Sequence, residues 1–248
     1  MQKLITDPRK DPLGRMLKDY LGGDTQARVK VESSCIDMPA MTGAVMFRTF
    51  QKMNRIEQGA LELCRGHILD VGAGSGCHSL YLQEQGGKVT AMDISPGCVE
   101  VMKQRGVGNP LHGSIHDLAS GRYDTILMLM NGLGICGNLD GLHFFLDHVK
   151  PLLTRGGQII ADSTDLSVFM DEGKPPAGSQ SYFGEVDFTM SYKEIRGEPF
   201  EWLYVDYYTL EDIASWHGFS CRRVRVDKEG RYLVRLGSVK KTSFSPFA

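Results

Sequence analysis

Several things that would steer a reading of this chain are missing. No apolar run approaches the roughly 20 residues that a membrane-spanning helix needs, and the opening MQKLITDPRKDP lacks the apolar core of a secretory signal. Charge of one sign is not in excess: 28 Lys and Arg stand against 30 Asp and Glu, a net of −2, so nothing marks nucleic acid as the main partner. The six cysteines, at positions 35, 64, 77, 98, 136 and 221, include no C-x-x-C pair and no regular spacing. That scatter argues against a disulfide framework and against structural zinc, so no metal is expected, and it fits a reducing, cytoplasmic setting. No internal repeat is visible. A hydrophobic content of 42% over 248 residues is enough for one large α/β core with an appended segment.

The informative stretch is HILDVGAGSG, residues 67–76. A short buried-strand run (Ile68, Leu69, Val71) carries an acid, Asp70, and breaks into glycines at every second position, Gly72, Gly74 and Gly76. Without a Cβ, such a turn bends sharply and lets a ligand lie against bare backbone. A helix-compatible run, HSLYLQEQGG, follows, so the loop is a strand-to-helix crossover. Seventeen residues after Gly76 a second strand, KVTAMDI, ends in Asp93, where a doubly wound sheet holds ribose hydroxyls. The pattern is that of a nucleoside-cofactor binder.

Two cofactor classes compete. The dinucleotide fingerprint is G-x-G-x-x-G, but the spacing here is G-x-G-x-G, and Cys77 stands where the third glycine belongs. Asp70 also suits a ligand with a free amino group and would repel a pyrophosphate. At residues 68–76 the chain resembles the class I S-adenosylmethionine-dependent methyltransferases, whose first motif reads hydrophobic-hydrophobic-D-h-G-x-G-x-G. The resemblance covers about residues 46–165 by motif and 205–239 by element order.

Alternating strands (67–71, 88–93, 109–113, 123–130 and 157–163) and helices signal βαβ units and a parallel sheet. Pro12 behind Asp11 starts a helix over 11–21, and Gly22-Gly23 ends it. Residues 24–45 read as loop with one extended run, ARVKVES. A helix is expected over 46–64, where Met46, Phe47, Phe50, Met53, Ile56 or Glu57, Ala60 and Leu63 share a stripe. That stripe either packs on the sheet or, through its first turn MFRTF, also closes over the cofactor. Ser95-Pro96 starts a helix directly after Asp93. Apolar spacing continues one over 139–153, with Pro151 near its end, and Arg155-Gly156-Gly157 turns into the fifth strand. Residues 171–181 are a loop by composition. Two alternating segments around Arg196-Gly197 then suggest a hairpin inserted at about 182–208. A helix over 209–217, capped by Thr209, precedes two final strands. The expected architecture is α/β: a doubly wound, mostly parallel seven-stranded sheet with an antiparallel last strand, an inserted β-hairpin and N-terminal helices. Residues 1–45 form an N-terminal lid or cap segment, and 46–248 the S-adenosylmethionine-binding domain.

The resemblance implies S-adenosyl-L-methionine as cofactor and assigns residues to it. Asp70 lies under the methionyl end, and Gly72, Ala73 and Gly74 line its middle by backbone. Asp93 accepts from the ribose hydroxyls and Ile94 packs on the adenine. The family usually has an acid after the third strand for the adenine amino group. Here Ser114 holds that position, with Ile115 beside it, and Asp117 offers a substitute. Asn131-Gly132, at the end of the fourth strand, faces the reacting methyl, where Asn131 orients a nucleophile or holds the cofactor's amino group. The alternative is a plain Asn-Gly turn. The stretch is not the [DN]-P-P-[YFW] motif of amino-directed nucleic-acid methyltransferases.

Methyl transfer from a sulfonium needs no metal and no covalent enzyme intermediate, so positioning dominates. No general base stands out. Asn131, Asp162 and Tyr182 are the catalytic candidates, with Asp165, Tyr192, Tyr208, His78 and His116 behind them. Arg48 is placed to pair a carboxylate of cofactor or substrate, or to form a surface ion pair. The aromatic run at 182–208 suits a wall for a small organic substrate. The expectation is therefore methyl transfer by in-line displacement to a small-molecule acceptor. The rivals are a non-catalytic S-adenosylmethionine-binding protein, a nicotinamide-dependent oxidoreductase and a methyltransferase with a macromolecular acceptor. Neither the accepting atom nor the oligomeric state can be read.

Overall fold

In the computed structural model of the chain, which describes residues 4–169 and 182–238, two sheets share the polypeptide. The chain begins with α1 (Pro12–Leu21), capped by the Asp11 side chain on Gly14 N at 2.9 Å. β1 (Arg28–Glu32), β2 (Met41–Thr42) and the one-turn α2 (Gly43–Met46) follow. The helix expected over 46–64 is interrupted: Met53 is extended, and only α3 (Arg55–Leu63) is a full helix. Asn54 restarts it with a capping box, in which Glu57 N donates to Asn54 Oδ1 at 2.9 Å and Asn54 N to Glu57 Oε2 at 3.2 Å. A strong N-cap inside an apolar stripe divides what periodicity alone reads as one helix.

The alternating region supplies β3 (His67–Val71), α4 (Cys77–Glu84), β4 (Lys88–Asp93), α5 (Pro96–Gln104), β5 (Pro110–His112), β6 (Tyr123–Met128), α6 (Leu139–Val149) and β7 (Leu153–Thr164). β7 starts earlier than expected. Arg155-Gly156-Gly157 is a bulge inside it, where the pairing with β6 jumps from Tyr123↔Leu153 to Thr125↔Gln158. β6 ends at Met128 because Met130 and Asn131 turn left-handed, at φ 66° and 57°. The loop expected at 171–181 lies outside the described residues.

β8 (Glu185–Tyr192), β9 (Ile195–Arg196) and β10 (Phe200–Leu203) form the inserted antiparallel unit. Its tight turn is at Lys193-Glu194 and not at Arg196-Gly197, since Tyr192 already pairs with Ile195 and Lys193 has φ 52°. β1 joins the same sheet through Lys30↔Ser191 and Val31↔Met190. The N-terminal segment and the insertion are thus one antiparallel sheet, ordered β10-β8-β1-β2. α7 (Tyr207–Trp216) begins two residues before the expected cap. Asp206, not Thr209, caps it, taking Tyr208 N and Thr209 N at 3.0 Å each.

β11 (Phe219–Val226) and β12 (Arg231–Ser238) complete a seven-stranded sheet ordered β11-β12-β7-β6-β3-β4-β5. Every pairing is parallel except those of β12 with β7 and β11. This is the doubly wound sheet with an antiparallel last strand that the motif order predicts. Ile56, Ala60 and Leu61 of α3 pack with Ile68, Ile160 and Leu233 on one face, where α5 also lies through Val99 and Met102. Phe145 and Leu146 of α6 and Leu210 and Ile213 of α7 pack with Leu69, Ile159 and Val234 on the other. No helix among the described residues is long and apolar enough to cross a membrane.

Candidate functional site

The carboxyl ends of β3, β4 and β6 meet at the crossover loop. Gly72, Gly74 and Gly76 all have positive φ (72°, 57° and 79°), which side-chain-bearing residues adopt only at a cost. Their surroundings differ. A Cβ on Gly74 would meet the Met46 methyl at 2.7 Å, whereas one on Gly76 would strike Val107 at 2.7 Å, beneath the loop. Gly72 and Gly74 shape the outer turn of the loop, and Gly76 lets it settle on Val107 and Met102. Gly72 N and Ala73 N both donate to Met92 O, at 2.9 and 3.0 Å, which clamps the loop to β4.

Asp93 stands against this loop. Its Oδ2 accepts from Gly74 N at 2.8 Å and its Oδ1 from Ser95 N at 2.9 Å. Each oxygen keeps a lone pair for a hydroxyl donor. Burial pushes the Asp93 pKa up to about 6, with the Asp11 and Asp70 charges adding and the two amide bonds opposing. Asp70, at 1% exposure, accepts from Ser79 Oγ at 2.6 Å, and burial raises its pKa as well.

Of the remaining positions expected near the adenine, Ile94 is half-buried, and its carbonyl accepts from Ile5 N and His112 Nε2, both at 3.0 Å. Ser114 caps a turn at His116 N, 3.3 Å away. Ile115 is a core residue at 1% exposure, packed with Leu69 and Met92. Asp117 is exposed.

At the end of β6, Asn131 Oδ1 accepts from Thr164 Oγ1 at 2.7 Å, which leaves the amide N–H donors of Asn131 uncommitted. Gly132 N donates to Asp162 Oδ1 at 3.1 Å. Asp162, fully buried, gives its other oxygen to Arg231 Nε at 2.6 Å. With both oxygens engaged, Asp162 is built to hold the loop. The Tyr182 hydroxyl is also occupied: it donates to Asp206 Oδ2 at 2.6 Å and accepts from Asp206 N at 2.8 Å. Burial and the Asp206 carboxylate raise its pKa. Tyr192 bonds to Asp19 at 3.0 Å, and Tyr208 is largely exposed.

Two clusters at this site had no local signature. Asp11 caps α1 and also reaches the start of α5, accepting from Ser95 Oγ at 2.7 Å and Gly97 N at 3.0 Å. The signal that would have found this is Gly14, a glycine inside a helix. It is needed because a Cβ there would lie 2.7 Å from Gly97 Cα. In the second cluster Glu57 pairs with Arg48 and accepts or shares a proton with His78 Nε2 at 2.9 Å, all three side chains being under a tenth exposed. Arg48 also donates to Val45 O, and Ser75 Oγ donates to Met46 O, so the segment around Met46 is fastened over the glycine loop. Arg105 donates to Ser75 O at 2.6 Å and lies over the Phe47 ring, 4.5 Å from its centroid. Arg48 is therefore a buried member of this fastening rather than a surface ion pair.

Comparison with known proteins places the fold in a family. A family model described as a methyltransferase domain matches residues 68–157. A crystal structure of a SAM-dependent methyltransferase from Bacteroides fragilis, in complex with S-adenosyl-L-homocysteine, has 43% identity and a TM-score of 0.87, covering 96% of this chain and 98% of its own. The CcbJ methyltransferase of Streptomyces caelestis shares the fold at 15% identity and a TM-score of 0.59, over 77% of this chain and 94% of its own. The 1,6-didemethyltoxoflavin-N1-methyltransferase of Burkholderia thailandensis does so at 17% identity and a TM-score of 0.50, over 85% and 96%. No curated protein matches the chain. The G-x-G-x-G loop, the acid fixed against it and a 43% identical relative over nearly the whole length lead to one conclusion: the chain belongs to the S-adenosylmethionine-dependent methyltransferases.

Proposed function

We propose that the protein transfers the methyl group of S-adenosylmethionine to a small-molecule acceptor, bound between the carboxyl ends of β6 and β7 and the β10-β8-β1-β2 sheet. The observation that carries the reading is the union of Gly74 N with Asp93 Oδ2 at 2.8 Å. It brings a bare-backbone turn and a buried carboxylate with free lone pairs to one edge of the sheet, which suits a ribose beside a thioether or sulfonium. When bound, the cofactor supplies an electrophilic methyl whose transfer discharges the sulfonium.

In this reading Asp93 receives the ribose hydroxyls and Asp70 the methionyl end. Gly72, Ala73 and Gly74 lie along the cofactor's middle, and Ile94, Ser114 and Ile115 border the adenine. Asn131 and Gly132 face the methyl. Asn131 presents its free amide N–H groups there, and Asp162 keeps Gly132 in place. Holding two reactants in line contributes up to about 7–11 kcal/mol by removing the entropy cost of their encounter, so the rigid anchoring of this loop is its chemical contribution. The small antiparallel sheet supplies the lid. Val186, Phe188, Tyr192 and Tyr204 belong to a cluster with Met16, Leu17 and Met46, against which Met130 and Trp202 pack. An aromatic, water-poor cover fits a small organic acceptor better than a polymer. Asp162 and Tyr182 are committed to structural hydrogen bonds, so no dedicated general base is assigned; the acceptor's lone pair attacks the methyl and its displaced proton passes to solvent.

Calorimetric titration with S-adenosylmethionine, S-adenosylhomocysteine and NADH tests the cofactor assignment. Micromolar binding of both adenosyl ligands and none of NADH is expected, and NADH binding alone would reverse it. A screen of small amines, alcohols and thiols beside unmethylated peptide and tRNA mixtures then tests the acceptor class.

A further inference from the structure

Arg231 is bound on one edge only. It opens β12 opposite Thr164, the last residue of β7, so its side chain projects from the carboxyl end of the sheet beside the strand that carries Asp162. Its Nε donates to Asp162 Oδ2 at 2.6 Å, and Nη2 touches the same oxygen. Nη2 is buried against that oxygen and has no other acceptor among the described residues. The Nε–Nη2 edge of the guanidinium is thus pinned, and its Nη1–Nη2 end meets no further acceptor among the described residues. A planar fork with a free end is the geometry that receives a carboxylate through two parallel hydrogen bonds.

The location matters as much as the open edge. The carboxylate that pins Arg231 also accepts Gly132 N at 3.1 Å, so one buried side chain separates the guanidinium from the Asn131-Gly132 turn. Tyr204, near enough to feel the Arg231 charge, is buried, and Met130 and Leu166 pack on the cluster to which it belongs. The charge of Arg231, opposed by that of Asp162, is felt at the Tyr204 hydroxyl, whose pKa burial pushes up to about 12.

We propose that Arg231 is a specificity-determining residue that docks a carboxylate of the methyl acceptor, an inference that rests on the methyltransferase reading. A monoanion matches the site. Arg231 already balances Asp162, so a phosphate dianion would leave two excess negative charges beside the pair, whereas one carboxylate leaves one, shared over the guanidinium. The same chemistry has a second source, the methionyl carboxylate of the cofactor, and the test separates the two.

Benzoate and its neutral analogue benzamide are titrated by NMR into the protein, with and without saturating S-adenosylhomocysteine. The expected result is saturable benzoate binding, at least tenfold weaker binding of benzamide, and at least a tenfold loss of benzoate affinity in Arg231→Met. Because that variant strands the Asp162 charge, the double variant Arg231→Met/Asp162→Asn, which removes both charges, is measured beside it. Arg231→Lys, a charge without a fork, is expected to recover only part of the affinity. In parallel, S-adenosylhomocysteine and 5′-methylthioadenosine, which lacks the amino-acid end, are titrated into wild type and both Met variants. Their affinity ratio should stay within twofold. Absence of benzoate binding, or benzoate affinity indifferent to the Met variants, overturns the proposal. So does a tenfold fall for S-adenosylhomocysteine alone, which would assign Arg231 to the cofactor. Failure of S-adenosylhomocysteine to bind the wild type overturns the methyltransferase reading, while the ligand-free benzoate titration still decides the role of Arg231.

Discussion

Gly74 N and Asp93 Oδ2 lie 2.8 Å apart, joining the glycine loop of one strand to the terminal acid of the next. The carboxylate is paired to backbone on both oxygens yet buried, and burial lifts its pKa to about 6. Hydroxyl donors of a ribose favour the charged form. S-adenosylhomocysteine affinity should therefore be flat above about pH 7 and weaken as pH falls through 6, by up to about tenfold per unit. For stability the sign is opposite. The folded-state pKa lies above the ordinary carboxylate value, so Asp93 opposes folding at neutral pH, and this cost is relieved as pH falls through 6 toward 4. Asp93→Asn should flatten both dependences and cost about 1.5–3 kcal/mol of binding at pH 8. Calorimetry across pH 5–8 reads the first, and the melting temperature of ligand-free protein the second.

Asp11 should tune that titration from across an interface. Its charge helps to raise the Asp93 pKa, so Asp11→Asn is expected to move the binding midpoint to lower pH. Asp11→Ala, which strips a cap from α1 and an anchor from α5, should cost about 2–4 kcal/mol, as for two lost caps. A midpoint that does not move in Asp11→Asn would sever the electrostatic link, and urea denaturation measures the stability term.

The glycines of the loop should separate by function. Gly74→Val introduces a branched residue at φ 57° against Met46 and is expected to abolish S-adenosylhomocysteine binding while circular dichroism stays native. Gly76→Val drives a side chain into Val107 and Met102 and should instead lower the melting temperature by several degrees. Equal effects of the two on folding would refute the division.

Breaking the buried Arg48–Glu57 pair leaves an uncompensated charge. Glu57→Ala is expected to cost about 3–5 kcal/mol, and Glu57→Gln less, because its carbonyl still accepts. Loss of this fastening should also weaken cofactor binding, since Arg48 holds Val45 and with it the Met46 cover. Urea midpoints, together with calorimetry on the Gln variant, check both statements.

What could be read from the chain was what short stretches encode. The strand-acid-glycine loop, Asp93, the Ser95-Pro96 cap and the order of elements depend on residues within a turn or two of each other, where backbone sterics and periodicity act alone. Where a local competitor was present, the reading slipped: Asn54 split a helix that its apolar stripe made continuous, and Asp206 displaced Thr209 as a cap by reaching two amides at once. The remaining features were decided by tertiary structure. Asp11 meets Ser95 across 84 positions, Asp162 meets Arg231 across 69, and β1 pairs with β8 to build the cover from two distant segments. A buried carboxylate must find donors, and an edge strand must find a partner. Which ones they find is settled only when the sheet brings its strand ends together, so the sequence alone determined the family and the glycine loop, and the fold alone determined how the loop at Asn131-Gly132 is anchored.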